Sequence, residues 1–338
     1  MDEKVNILAV DTGYGSIKCA MYDETGGIRF LKFLSAVSKI DDASEVDDDV
    51  MFKLGTDTYV LGETALRVGR ENILPLETYE DMKTITPVWI SYLMKKFNPE
   101  HIIIGLSLAY MDKADDLLEY LYNTLMIDPS TNYFICLPQG LACKQCYNEF
   151  GLNPRETNRK GYSRLMSSYL IADLGMNTAD FSNVANQVAS SKSSIGLQGT
   201  GVIYIAHCIV DYVFKTYGVK ITVKEAQTIM ESDGIWTRRG RKYDLSQQLD
   251  EFSVMYIGKI LDLIEEKYQS VLDNIEGVLV CGGGAYLFKK YINDPRVITE
   301  IEKHFPVSFI QLPEVDAEFF NAVSYLKIGD KLLKEGAV

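Results

Sequence analysis

Short apolar runs, each broken by glycine or a polar residue within a few positions, alternate along the chain with segments whose apolar residues recur at helical spacing. Residues 5–10 form such a run, which stops at Asp11; Gly13 and Gly15 follow in a tight turn and residues 17–22 return as a strand, so the chain opens on a β-hairpin. Tyr59, Val60 and Leu61 predict another strand, ended by Gly62 and Glu63 ahead of a helical segment at 64–68. Pro87 predicts the first turn of a helix carrying Trp89, Tyr92, Leu93 and Phe97 on one face. Ile102, Ile103 and Ile104 read as a strand, and Asp112 is placed to cap a helix with Ala114, Leu117, Leu118, Leu121, Tyr122 and Leu125 on one side. A strand at 133–137 closes on Pro138–Gln139–Gly140, before a helix running through Cys146.

After a polar connection at 153–163 the opening pattern restarts. A strand at 169–172 runs into Asp173, Gly175, Asn177 and Thr178, and residues 181–188 continue as strand. Thr200 is the expected cap of a nearly all-apolar helix over 201–217, ended by Gly218, which must be buried between layers. Helical patterns follow at 223–230 and 245–272. A short buried strand at 278–280 leads into Gly282–Gly283–Gly284 and a helix beginning near Ala285 or Tyr286. The last helix starts at about Asp316, with Phe319, Phe320, Val323 and Leu326 on one face. Strands alternating with helices predict an α/β fold, and 338 residues suggest two domains at roughly 100–200 residues each.

Composition narrows the function. Hydrophobic residues make up 47% and charged residues 24%, the usage of a folded globular chain. The net charge of −13 disfavours direct, extended binding to a phosphate backbone. No apolar run approaches the ~18 residues of a membrane span, and the acidic start at Asp2 and Glu3 is unlike a secretory signal, which predicts a cytoplasmic protein without membrane partners. Six scattered cysteines then read as reduced thiols, Cys143 and Cys146 among them, and His101, His207 and His304 do not make a metal centre. The acidic run from Asp41 to Asp49 and the basic cluster Arg238, Arg239, Arg241 and Lys242 read first as solvated segments, and second as contacts with a partner.

The informative chemistry is a repeat. Asp11–Thr12–Gly13–Tyr14–Gly15–Ser16 and Asp173–Leu174–Gly175–Met176–Asn177–Thr178 each follow an apolar strand with a carboxylate, a glycine two residues on, and small or hydroxylated residues entering a second strand. Glycine lets the backbone turn tightly and approach a ligand, and successive N–H groups in such a turn make an anion-binding concavity. One Asp-Gly hairpin is commonplace; two, with a glycine triplet after a later strand, point to a clamped polyphosphate. No helix follows either turn at once, so this is neither a Walker A loop nor a dinucleotide fingerprint. Carboxylates beside a triphosphate need a cation, and Mg²⁺ takes one or two carboxylates with phosphate oxygens, a role that suits Asp11 and Asp173. Lys18 is placed to neutralise phosphate charge, and Ser16 and Thr178 to donate hydrogen bonds to it.

With these motifs the chain resembles the actin-like ATPase superfamily, most of all its bacterial plasmid-segregation branch, the ParM/StbA actins. Asp11–Thr12–Gly13–Tyr14–Gly15–Ser16–Ile17–Lys18 is similar to the first phosphate motif and the segment from Asp173 to Asp180 to the second. Pro138–Gln139–Gly140 resembles the first interdomain connection, Gly282–Gly283–Gly284–Ala285 the adenosine motif, and Asn321–Ala322–Val323–Ser324–Tyr325 the second connection. Met176 and Ser324 depart from the pattern, standing where a small residue and a glycine are usual. The resemblance implies an actin-like fold: duplicated ribonuclease H-like domains with the nucleotide in the interdomain cleft. Domain I would be residues 1–172 plus 318–338, with a smaller subdomain at about 33–80, and domain II residues 173–317, with a smaller subdomain at about 212–272.

It further implies an ATP or GTP hydrolase that, with Mg²⁺, assembles head to tail into filaments and segregates plasmid DNA through a separate adaptor protein. Gln139 would orient the attacking water, Asp11 and Asp173 would hold the metal, and Glu225 would lie near the ribose. Two alternatives share the phosphate hairpins: a small-molecule kinase of the same superfamily, and a non-hydrolysing actin-like scaffold.

Overall fold

A computed structural model describes residues 6–41, 51–68, 72–131, 133–153, 165–314 and 316–336, and the chain divides into two compact units, residues 1–165 with 314–338 and residues 166–313. Val5, most of the acidic run (42–49) and most of the polar connection (154–163) lie outside the described residues.

The first unit is built on the opening hairpin, β1 (Ile7–Thr12) and β2 (Ser16–Tyr22), extended by an edge strand β3 (Ile28–Leu34). A separate antiparallel sheet follows, β4 (Val37–Ile40), β5 (Met51–Leu54) and β6 (Asp57–Leu61) with β6 central, and then α1 (Gly62–Val68). Helix α2 (Tyr79–Phe97) leads to β7 (His101–Leu106), and α3 (Ala114–Leu125) to β8 (Phe134–Pro138). Parallel neighbours need such crossovers, and β7 and β8 join β1 in parallel to give the order β3-β2-β1-β7-β8. On one face Leu8, Val10, Ile102 and Ile104 pack with Trp89, Leu93, Leu117 and Leu121, all buried. After β8 the chain turns into α4 (Cys143–Phe150).

Two sequence expectations are corrected here. Pro87 lies inside α2 instead of opening it. The helix starts at a capping box in which Thr78 and Asp81 satisfy each other's backbone amides, and Tyr79, Met82 and Ile85 are already buried ahead of the proline. Asp112 does not cap α3 either; a 3₁₀ segment, Leu108–Lys113, capped by Ser107, feeds the helix directly.

The second unit repeats the plan. β9 (Tyr169–Leu174), β10 (Thr178–Ala185) and β11 (Val188–Gln198) form an antiparallel meander. α5 (Ile203–Tyr217), α6 (Val223–Glu231), the hairpin β12 (Ile235–Arg238) and β13 (Arg241–Asp244), and the long α7 (Ser246–Leu272) come next. β14 (Val278–Cys281), α8 (Ala285–Tyr291), α9 (Pro295–Glu302) and β15 (Ile310–Gln311) complete a sheet of order β11-β10-β9-β14-β15, with β14 and β15 parallel to β9. Order and polarity match the first sheet strand for strand. The paired domains of the actin-like fold are present.

Strand β9 pairs along its length with β10 and β14, so residues 169–172, which the sequence reading left in domain I, are built into the second unit. Residues 181–188 are not one strand: Asn186 and Gln187 turn with φ of 48° and 64°, the geometry of a two-residue hairpin, and β11 runs back. Thr200 leaves α5 uncapped, its hydroxyl donating to the Leu197 carbonyl, and α5 is not wholly buried, since Phe214 and Tyr217 are exposed. Gly218 ends α5 in the left-handed region as expected.

The terminal helix α10 (Phe320–Lys334) belongs to the first unit and packs on β1, β2, β7 and α4. Its residues from Phe320 to Leu326 are all buried. Among the described residues no helix is long and apolar enough to cross a membrane.

Candidate functional site

Each unit carries one copy of the repeated Asp-x-Gly turn, and in both the carbonyls are taken up from behind. In the first, the Ser35 hydroxyl donates to the Tyr14 carbonyl at 2.6 Å and the Ser35 N–H to the Gly15 carbonyl at 3.3 Å. In the second, the amides of Val202 and Ile203 at the start of α5 donate to the carbonyls of Gly175 (3.0 Å) and Met176 (2.7 Å), and Gly201 N–H to Asn177 (3.3 Å). A trans peptide points its N–H opposite to its carbonyl. The amides of Gly15 and Ser16, and those of Met176 and Asn177, are thereby turned away from these props, which is how an anion-binding nest is made. Gly13 and Gly201 are required by closeness: a β-carbon on Gly13 would fall 2.7 Å from the Ser16 carbonyl oxygen, and one on Gly201 2.5 Å from that of Met176.

The carboxylates at the strand ends are placed alike but partnered differently. Asp11 stands directly across from Lys18 in the β1–β2 register, and the two form a buried ion pair with Nζ 3.1 Å from Oδ2. Gln139, at the end of β8, donates through Nε2 to the other Asp11 oxygen at 2.7 Å. Asp11, Lys18 and Gln139 thus form one cluster, while Thr12 turns away to donate to the Gly105 carbonyl at 2.8 Å. Lys18, read from the sequence as a phosphate neutraliser, is paired with Asp11.

At the equivalent place in the second hairpin, Asp173 stands directly across from Asp180, and both are buried, 4% and 1% exposed. Direct cross-strand partners share a face of the sheet, and buried carboxylates side by side draw on the hydrogen bonds, protons or cations around them. A pair of carboxylates is the donor set that Mg²⁺ takes alongside phosphate oxygens and water, so the residues fit a divalent cation. Asp180 was quoted in the motif without a role. The signal that finds it is spacing: seven residues separate Asp173 from Asp180, as they separate Asp11 from Lys18.

The glycine triplet follows β14, whose Cys281 pairs with Asp173. A β-carbon on Gly282, at φ +77°, would fall 2.3 Å from an Asp173 carboxylate oxygen, and one on Gly284 2.6 Å from the Leu174 β-carbon. Those two glycines serve packing of β14 against the hairpin, reinforced by the Gly284 N–H donating to Leu174 at 2.7 Å. Gly283 alone is open, with nothing within 4 Å of an added β-carbon, and Ala285 is buried at the start of α8. Glu225 sits in the capping box of α6, accepting from the Thr222 N–H at 2.8 Å. Its neighbour Lys224 is partly buried, which lowers its pKa.

Ser16 and Gly175 are half-buried at their turns, and Met176 is accommodated with its carbonyl against Gly201; Asn177 and Thr178 are buried. Sequence reasoning missed Ser35, a lone serine after an edge strand, whose role depends on a contact 21 residues away.

Residues 171–294 match the family described as archaeal actin homologue MreB-like, C-terminal. No curated protein matches the chain by sequence. Among solved structures, the 15-stranded ParM filament from Clostridium botulinum superposes with a TM-score of 0.72 at 18% identity, covering 97% of this chain and 100% of that one. An archaeal actin homolog in complex with ADP gives 0.66 at 16% identity over 97% and 100% of the two chains. ParM of Bacillus thuringiensis with ATP gives 0.57 at 14% identity over 98% and 100%. This chain has the actin-like fold in the form that ParM and the archaeal actin homologue share, and the resemblance its motifs carry is borne out at that level.

Proposed function

We propose that this protein binds ATP with Mg²⁺ through its two glycine turns, hydrolyses it, and assembles head to tail into filaments under control of the bound nucleotide. One observation carries the reading: the same turn is built twice, with its carbonyls held from behind and the amides of the same peptides pointing the opposite way. The ATP and ADP held by two proteins of this fold support the choice of nucleotide, with GTP the other possibility, and the filament formed by a third supports assembly. Gly283, with open space beside it, would leave room for the ribose and base.

Asp173 and Asp180 would hold the cation, and Asp11 is the carboxylate the first unit would add. A bound Mg²⁺ supplies positive charge to the triphosphate and relieves the repulsion between the carboxylates. Gln139, anchored on Asp11, would orient the attacking water. Head-to-tail contacts between identical subunits generate open filaments, and the β12–β13 hairpin, which exposes Arg239, Arg241 and Lys242 in a chain of net charge −13, is the proposed subunit contact. The same net charge supports an indirect link to plasmid DNA through a basic adaptor protein, as in the ParM/StbA resemblance, in a cytoplasmic setting that suits six free thiols.

Light scattering and phosphate release with ATP, GTP and ADP in the presence of Mg²⁺ test this. Assembly should follow the triphosphate and reverse as phosphate appears. Gln139→Ala should slow release by about 10–100-fold while leaving assembly intact, and Asp11→Ala should abolish both. Nucleotide-independent scattering, or phosphate transfer only to an added metabolite, would sink the reading.

A further inference from the structure

Gln139 is set by its backbone, and one edge of that backbone is held by the terminal helix. The peptide between Gln139 and Gly140 is gripped at both ends: its carbonyl accepts from the Leu141 N–H at 2.7 Å, and its N–H, that of Gly140, donates to Asn321 Oδ1 at 3.0 Å. The Gln139 N–H itself donates to the Leu106 carbonyl at 2.8 Å. Gly140 follows at φ +69°, a conformation open to glycine and strained for other residues. The plane that fixes ψ of Gln139 thus depends on an acceptor supplied from 181 residues away.

That acceptor is buried and doubly engaged. Asn321 is 5% exposed in the first turn of α10, between the fully buried Phe320 and Ala322. Its Oδ1 takes a second donor, the Cys143 thiol, at 3.1 Å. One helical turn on, Ser324 Oγ accepts the Cys146 N–H at 3.1 Å, so two polar clips on one face of α10 hold α4 and the turn that precedes it. Apolar packing would dock the two helices without either clip. An amide oxygen aimed at the Gly140 N–H does something packing cannot: it orients a single peptide, the one that carries Gln139.

We infer that Asn321 is a positioning residue for hydrolysis, acting through Gln139; this rests on the role proposed for Gln139 above. Removing its acceptor leaves a buried N–H unpaired, and the turn must rotate to satisfy it. A shift of about 1 Å in a group that aligns a reactant can cost as much as ~100-fold in rate.

The test is steady-state phosphate release by the full chain, with nucleotide affinity and thermal midpoint measured alongside. Asn321→Leu, near in shape but without an acceptor, should lower kcat by about 10–100-fold and leave KM and nucleotide affinity within about twofold. Asn321→Asp keeps an oxygen for both donors and should keep kcat within about threefold of the unmodified chain, whatever it does to the thermal midpoint. In a Gln139→Ala background, Asn321→Leu should slow release no further. A folded Asn321→Leu variant with unchanged kcat, or one that slows Gln139→Ala further by its full factor, overturns the inference. If Asn321→Leu does not fold, Asn321→Ser, with its shortened acceptor, carries the same expectation and the same refutation. An unmodified chain that releases no phosphate, or a Gln139→Ala chain with full activity, refutes the role of Gln139 itself and is distinguishable from failure of Asn321 alone.

Discussion

A β-carbon added to Gly105 would lie 2.3 Å from the Tyr325 ring, and Tyr325 is fully buried. The absent side chain on β7 is the seat into which α10 sets its largest residue. Gly105→Ala should destabilise the protein by about 1–3 kcal/mol or more, since the obstacle is a ring locked in a packed helix and not the free end of a side chain. Gly283→Ala is the control: with open space around it, thermal unfolding should show no loss there, against a clear drop for Gly105→Ala. Much at this scale was legible in the sequence. Asp11, Gln139, Gly13, Gly201 and Asp173 all lie in the motifs or predicted elements, because turns and strand ends have local signatures. The partners Ser35, Asp180 and Asn321 were not readable as such, since each acquires its role from strand register or from a contact across the unit.

Helix ends show what is gained and missed one level up. Two capping boxes of the same design, Thr78 with Asp81 and Thr222 with Glu225, start α2 and α6. The second was readable as a Thr-x-x-Glu signature, yet the family resemblance drew Glu225 toward the ribose. The structure gives its carboxylate a local duty, accepting from the Thr222 backbone while the Thr222 hydroxyl accepts the Glu225 N–H at 3.1 Å. Thr222→Ala should therefore fray the start of α6 and cost about 0.5–2 kcal/mol, visible as a lowered thermal midpoint. For α2 the signature was overridden by Pro87, a local preference that lost to the burial of Tyr79, Met82 and Ile85 upstream. The edge strands β3 and β11 were also missed. Neither is buried enough to show a clean alternation, and the turn before β11 uses Gln187 at a positive φ without glycine.

Across the whole molecule, burial raises the pKa of a set of weak acids. Desolvation pushes the Cys136 thiol up to about 12 from 9.0 and the Cys19 thiol further, and it raises the phenols of Tyr79, Tyr256 and Tyr268 above 10.0. Folded, these groups keep protons that the unfolded chain gives up, so their contribution is complete below about pH 9 and is lost as pH rises through the folded values. Urea midpoints should hold steady from about pH 7 to 8.5 and decline above about pH 9; a midpoint that rises over that range would contradict the assignment. The sheet order, polarity and hairpin register recur in both units, and the residue facing the strand-end carboxylate is lysine in one and aspartate in the other. A duplicated scaffold has in this way divided its labour. One copy sets a cation across from its strand-end carboxylate and the other sets a second carboxylate there, so a single register yields opposite local charge in the two halves of the chain.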